Sequence, residues 1–311
     1  MARILVTGAP GFIGRALCLG LARQGHAVTG LSRHPASPVP GVEVRAIGDI
    51  GPDTEWSGQL DGIDVLVHLA NRAYHSPRDG ATDDEPQAAR ALVQAAAKAG
   101  VRRLIQMSSV RAMGETTAPG APFRATDPPN PRQPYGLGKL AIERAVAAVA
   151  RENGIELVIL RPPLVYGPGV KANFRNLIQL AASGVPLPLA GIDNRRSLIF
   201  IENLVDLVSR ACLHPDAAGR VLLARDEVDL STPGLIRLLA AGLGRPARLF
   251  AVPPSVLSAF CRLPGLAPPL ARLILSLQVD DSETRAALEW RPPVPPETGL
   301  GVTAAAFRVR L

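Results

Sequence analysis

Thr7-Gly8-Ala9-Pro10-Gly11-Phe12-Ile13-Gly14 is the stretch on which the reading of this chain turns. It directly follows an apolar run, Arg3 to Val6. It opens a helical pattern, Phe12 to Gln24, with Phe12, Leu17 and Leu21 at helical spacing. Glycines at 8, 11 and 14 allow a tight turn and let backbone N–H groups approach a ligand closely. The helix N-terminus beginning there favours an anion. A strand–loop–helix unit of this kind suits a pyrophosphate, and so a dinucleotide.

Working outward, short apolar runs alternate with helical patterns. His26 to Leu31, Val42 to Ala46, Ile63 to Leu69, Arg103 to Met107 and Glu156 to Leu160 read as strands. Pro86 to Ala99 and Tyr135 to Asn153 read as helices, ended by Gly100 and Gly154. Strands alternating with helices predict a parallel sheet with right-handed crossovers. The second half is mostly helical: Ala172 to Ala182, Asn203 to Leu213, Thr232 to Leu243, Pro254 to Cys261 and Ser282 to Leu288. Strand candidates there are Ser197 to Ile201 and Arg220 to Leu223, and proline-rich breaks run to Pro292–Pro296. The expected fold is α/β: a Rossmann-like, doubly wound parallel sheet with a smaller, mostly helical C-terminal substrate lobe. Residues 1–165 form the dinucleotide-binding part, 197–224 return to it, and 166–311 are mainly the substrate-binding lobe.

The composition excludes several classes. With 47% hydrophobic and 20% charged residues among 311, the chain can bury a core and is not disordered. No apolar run reaches the roughly 18 to 20 residues that span a bilayer, so no membrane insertion is expected. The N-terminus shows no secretory pattern. Cys18, Cys212 and Cys261 are far apart, form no CxxC, and lie in no Cys/His cluster at metal spacing. Buried thiols in a reducing cytoplasm are expected, with no metal. The net charge of +7 comes from scattered arginines without a basic run or aromatic platform, which argues against nucleic acid.

Two further groups carry chemistry. Tyr135 and Lys139, in Tyr135-Gly136-Leu137-Gly138-Lys139, share one helix face. A free phenol ionises near about pH 10, and a neighbouring ammonium lowers that value. Tyr135 is then a candidate general acid or base on a carbonyl or alcohol oxygen. Ser108-Ser109 follow the strand Arg103 to Met107, at the end where open α/β sheets place ligands.

The N-terminal TGxxGxxG with YxxxK at this distance resembles the extended short-chain dehydrogenase/reductase superfamily, in its NAD-dependent epimerase/dehydratase branch. The likeness runs along essentially the whole chain. It implies that Gly8, Gly11, Phe12, Ile13 and Gly14 hold the dinucleotide. Gly48-Asp49-Ile50 is similar to the family's adenine-contacting pair, Asp49 and Ile50 here. His68-Leu69-Ala70 resembles its strand-end motif, bringing Leu69 and Ala70 to the cofactor. Arg161-Pro162-Pro163 with Tyr166-Gly167-Pro168-Gly169 resembles its nicotinamide-side loop, which implicates Pro162 and Leu164. By the same likeness Tyr135, Lys139 and Ser109 are catalytic, with Lys139 on the nicotinamide ribose and Ser109 on the reacting oxygen. Gly138 stands where the family often has Ser, and a common Asn is replaced around Asp84 to Pro86.

NAD sites place an acid at the end of the second strand. Here that strand ends Gly30-Leu31-Ser32-Arg33-His34. Ser32 and Arg33 suit a 2′-phosphate, so NADP(H) is favoured, with NAD(H) the alternative. Arg195-Arg196-Ser197 resembles the nucleotide-sugar members, with Arg196 on a diphosphate, and Asn173 opens a helix that could meet a phosphate. Dehydration needs an added acid/base pair after the catalytic serine, where this chain has Val110-Arg111. The expected function is NADP(H)-dependent reduction of a UDP-linked 4-keto-6-deoxy sugar for cell-surface polysaccharide. The alternatives are an NAD-dependent UDP-sugar 4-epimerase and a non-catalytic NADP-sensing regulator. The resemblance also implies a homodimer through the two long helices, whose faces equally suit core packing.

Overall fold

The computed structural model describes residues 1–34, 39–70, 84–118, 120–252 and 273–308. The expected helix Pro254 to Cys261, and Cys261 itself, lie outside them. Strands β1 (Arg3–Thr7), β2 (Ala27–Ser32), β3 (Glu43–Ala46), β4 (Val65–His68), β5 (Arg103–Met107), β6 (Glu156–Arg161) and β9 (Val221–Leu223) form one sheet. Their order is β3-β2-β1-β4-β5-β6-β9, and all neighbours are parallel. A second, two-stranded parallel sheet pairs β7 (Leu164–Tyr166) with β8 (Leu198–Phe200). The central strands are buried on both faces, and therefore read as continuous apolar runs rather than as alternation.

Helices cover both faces. On one, α1 (Phe12–Arg23) and α5 (Ile201–Leu213) enclose Leu17, Leu21, Leu204 and Val208 with Ile4, Val6 and Val158. On the other, α2 (Glu85–Lys98) and α3 (Pro134–Asn153) cover Leu5, Leu66 and Leu104 with Leu92, Val93 and Val146. A third cluster lies in the C-terminal lobe. There α4 (Ala172–Ala182), α6 (Thr232–Gly242) and α8 (Pro296–Arg308) pack around Tyr166, Phe174, Phe200 and Leu300. The short α7 (Ser282–Leu288) comes between α6 and α8 in the chain.

Two elements differ from expectation. The last helix, α8, starts at Pro296, where the proline-rich run reads as a break. Proline is tolerated in a first turn because its missing N–H would have no intrahelical partner. Strand β7 is only three residues long, boxed between Pro163 and Gly167, too short to show a period. Among the described residues no helix is long and apolar enough to cross a membrane. Cys18 and Cys212 are free and buried, and burial pushes both thiols up to about 12.

The sheet order reverses between β1 and β4, opening a crevice at their carboxyl ends. Its floor is held by one side chain. Thr7 Oγ1 accepts from the backbone N–H of Leu69 and of Ala70, both at 3.1 Å. It lies 2.8 Å from His68 Nδ1. With both lone pairs used, the hydroxyl proton goes to Nδ1, which leaves the ring hydrogen on Nε2. Burial lowers the His68 pKa from 6.5 to about 4, with a smaller push from the Lys139 charge.

His68 therefore stays neutral when folded, whereas the unfolded chain takes up a proton near the ordinary value. Stability present above about pH 6.5 is lost as pH falls towards 4, by about 3 kcal/mol from this residue. Denaturant unfolding across that window should show the slope in the wild type and lack it in His68→Asn. Two glycines of α3 should behave oppositely. A Cβ at Gly136 would sit 2.3 Å from the Arg111 carbonyl oxygen, whereas one at Gly138 meets nothing within 4 Å. Gly136→Ala should cost about 1–3 kcal/mol and Gly138→Ala should gain up to about 1 kcal/mol, read as shifts of the unfolding midpoint.

Candidate active site

The glycine loop forms a cradle that side chains would fill. Gly8 has φ +70°, and a Cβ there would lie 3.1 Å from the Ala70 nitrogen. A Cβ at Gly14 would lie 2.2 Å from the Gly8 carbonyl oxygen, and one at Gly11 3.0 Å from the same atom. The loop is pinned by Ala9 N–H to the Leu31 carbonyl (3.1 Å) and Gly11 N–H to the Gly8 carbonyl (3.0 Å). No side chain caps the N-terminus of α1, whose Ncap is Gly11, so its first N–H groups can serve an anion. Loop, dipole and crevice together fit a dinucleotide pyrophosphate. Phe12 borders Gly167, where a Cβ would reach 3.6 Å from its ring. Ile13 packs partly buried between sheet and lobe.

At the edge of the crevice, Ser32 is buried and donates to the His34 carbonyl at 2.7 Å, closing its own turn. Arg33 Nε lies 2.8 Å from Asp49 Oδ1, with side-chain exposures of 43% and 64%. The guanidinium read as a partner for a 2′-phosphate is thus already paired with a carboxylate. Ile50 turns inward against the cluster under α2 and α3.

The ends of β5, β6 and α3 meet at the other side. Ser108 N–H donates to the Leu160 carbonyl (2.8 Å) and Val110 N–H to the Pro162 carbonyl (3.0 Å). Ser109, half-buried, accepts from the Arg111 N–H at 3.2 Å and so caps the 3₁₀ turn Val110–Ala112. Gly136 lets the first turn of α3 rest on that segment. Glu115 Oε1 accepts from the Arg132 and Gln133 N–H groups at 3.0 and 2.9 Å, fixing the entry into α3. Tyr135 is consequently presented beside the Ser109 segment, 44% exposed. Lys139, one turn on, is buried and its Nζ reaches the Met107 carbonyl at 3.4 Å. Burial lowers the Lys139 pKa to about 8, while the carboxylates of Glu85 and Glu143 oppose that fall. Leu164 opens β7, 37% exposed.

The lobe carries the remaining expected residues. Asn173 is exposed in the first turn of α4, beside Phe174, which stacks on Tyr166 at 5.4 Å. Arg196 is half-buried, its backbone bridged to Leu230 and Leu277. Tyr166 itself is fully buried and donates to Asp226 Oδ2 at 2.6 Å. That carboxylate also accepts from Phe200 N–H and Asn203, so the Tyr166 hydroxyl is committed to packing the lobe.

One group was not anticipated from the sequence. Ser108 donates to Glu143, and Arg161 grips both oxygens of that carboxylate at 2.9 and 2.6 Å, all three residues being buried. The signal was present: Glu143 is four residues after Lys139 on the same helix face.

Comparison with known proteins agrees with this geometry. Residues 4–223 match the NAD dependent epimerase/dehydratase family. A UDP-glucose 4-epimerase of Vibrio cholerae is 38% identical over 98% of this chain and 95% of its own length. A UDP-glucose 4-epimerase of Mycolicibacterium smegmatis is 30% identical over 98% of both chains. The crystal structure of UDP-glucuronic acid 4-epimerase from Bacillus cereus in complex with NAD superposes with a TM-score of 0.77. That alignment covers 99% of this chain and all of the other at 22% identity, and so speaks to the fold. Fold, glycine cradle and end-to-end similarity have one meaning: this chain is an NAD(P)-dependent enzyme of the NAD dependent epimerase/dehydratase family, within the extended short-chain dehydrogenases/reductases.

Proposed function

We propose that the chain inverts C4 of a UDP-linked hexose with a retained NAD(H). The observation that carries this reading is the near full-length, 38% identity to a UDP-glucose 4-epimerase. The Arg33–Asp49 pair weighs towards NAD(H) over the NADP(H) suggested by sequence, because a 2′-phosphate would have to compete with the Asp49 carboxylate for this exposed guanidinium. Residues 1–165, with 197–224 returning to them, would hold the dinucleotide, and 166–311 mainly the sugar nucleotide; β9 pairing with β6 in the main sheet supports the return. Gly8, Gly11 and Gly14 would take the pyrophosphate, with Arg196 and Asn173 on the substrate diphosphate.

A nicotinamide, when bound, supplies the hydride acceptor and donor for C4. The chain's own residues manage the proton and the oxygen. Tyr135, as phenolate, removes the proton from the C4 hydroxyl while C4 becomes a ketone. After the sugar turns over, the same phenol returns its proton to O4 as C4 is reduced on its other face. Ser109 donates to that oxygen, and Lys139 stabilises the phenolate through its charge.

A second reading, reduction of a UDP-4-keto-6-deoxy sugar by NADPH, is favoured by one feature. The end of β2 carries Ser32-Arg33 and no acid.

Purified enzyme given UDP-glucose should form its C4 epimer with no net change in nicotinamide absorbance. Stoichiometric NADPH consumption with a UDP-4-keto sugar, and no epimer, would favour the reductase instead. Tyr135→Phe should lower turnover by about 10²-fold or more while leaving dinucleotide affinity unchanged. Asp49→Asn should release Arg33. The affinity for 2′,5′-ADP relative to ADP should then rise about two- to fivefold by titration calorimetry; an unchanged ratio would show that the pair does not govern cofactor choice.

A further inference from the structure

The cations are spread along the chain as single residues, but the acids are not. Residues 157–192 and 230–279 contain no Asp or Glu, yet carry eight Lys and Arg. Subtracting these eight from 34 Lys+Arg leaves 26 against 27 Asp+Glu for the rest of the chain. The whole net charge of +7 therefore comes from two acid-free runs, which supply α4 and α6 of the C-terminal lobe. Of the eight, Arg161 is paired with Glu143, and Arg262 and Arg272 lie outside the described residues. Lys171, Arg175, Arg237, Arg245 and Arg248 are all exposed. Among the described residues no ion pair involves any of these five. Lys171 and Arg175 flank Asn173 in the chain, and so fall with the proposed substrate site. Arg237 is on α6, and Arg245 and Arg248 follow its end.

Past α6 the chain forms a rim on the lobe. Leu187 N–H donates to the Arg248 carbonyl at 2.8 Å, and Phe250 N–H to the Leu187 carbonyl at 3.0 Å, a parallel pairing of extended backbone. Ala190 N–H donates to the Phe250 carbonyl at 3.1 Å. Extended backbone sends alternate side chains to opposite faces. Leu187 and Leu249 pack partly buried against the lobe core, which turns Arg248 and Phe250 outwards. Phe250 is 47% exposed and Val185, two residues before Leu187, 57%. Pro186 and Pro246 are exposed as well. Arg245 Nη1 donates to the Ala182 carbonyl at 2.6 Å, which holds that guanidinium at the start of the same rim.

Exposed cations and exposed apolar side chains, with no acid among them, suit an anionic lipid surface. Headgroup phosphates attract the guanidinium groups, and apolar side chains enter the boundary with the acyl chains. A nucleic acid would meet the cations but gain nothing from Val185 or the prolines, and one phenyl ring is no stacking platform. No described helix is long and apolar enough to cross a membrane, so this contact is made at the surface. We propose that the rim formed by residues 183–190 and 245–250 docks on an anionic membrane surface, with Arg245 and Arg248 on lipid phosphates and Val185 and Phe250 at the acyl boundary.

The test is cosedimentation of the full-length protein with vesicles of equal parts phosphatidylglycerol and phosphatidylcholine, and with vesicles of phosphatidylcholine alone. Binding is expected on the first and not on the second, and should weaken as salt rises. Arg248→Gln should lower the partition coefficient about fivefold and Phe250→Ser about tenfold. Both positions are exposed, so the unfolding midpoint should stay where it is in each variant. Absence of binding to the anionic vesicles, or a partition that either variant leaves unchanged, would overturn the proposal. So would a duplex oligonucleotide bound as tightly as the anionic vesicles, which would mark a general attraction to polyanions. No sugar or dinucleotide enters the measurement, so failure of the proposed epimerase activity would leave this result standing.

Discussion

The close approach of two backbone turns, Gly8 after β1 and Leu69–Ala70 after β4, is the constraint on which the rest depends. At that point the sheet reverses its order, and a side chain at position 8 would crowd the Ala70 backbone at 3.1 Å while strained by a φ of +70°. The Thr7 hydroxyl fastens the junction by accepting from both N–H groups of the second turn and donating to His68. A crevice results whose walls are main chain and whose field favours an anion.

The proposed chemistry depends on a contrast in solvation along one helix face. Tyr135 is open to the cleft while Lys139, a turn away, is dry. A charge in low dielectric acts strongly on a nearby phenol, but only if it survives its own desolvation. The carboxylates of Glu85, half-buried, and Glu143, buried, oppose that desolvation. Arg161 and Ser108 in turn hold Glu143.

Much of this was legible in the sequence because it depends on local pattern. The glycine loop, the alternation of strands and helices, and the Tyr135–Lys139 spacing are short-range features. Each appears in the structure within two or so residues of where the pattern places it. What escaped was long-range or cryptic. Arg33 reads as a free cation because Asp49, its partner, arrives from another strand end. Strand β7 is too short to have a period, and α8 hides behind a proline that happens to occupy its first turn. The Glu143–Arg161–Ser108 group joins three elements, and only its helical spacing to Lys139 was visible.

We infer that the Lys139 charge acidifies the Tyr135 phenol. The direct measurement is the ultraviolet titration of that phenol, obtained as the difference between the protein and its Tyr135→Phe variant. It is then repeated in a Lys139→Met background. A midpoint well below the ordinary value of about 10 is expected, with a return to that value or above once Lys139 is gone. A midpoint that is the same with and without the lysine would contradict it.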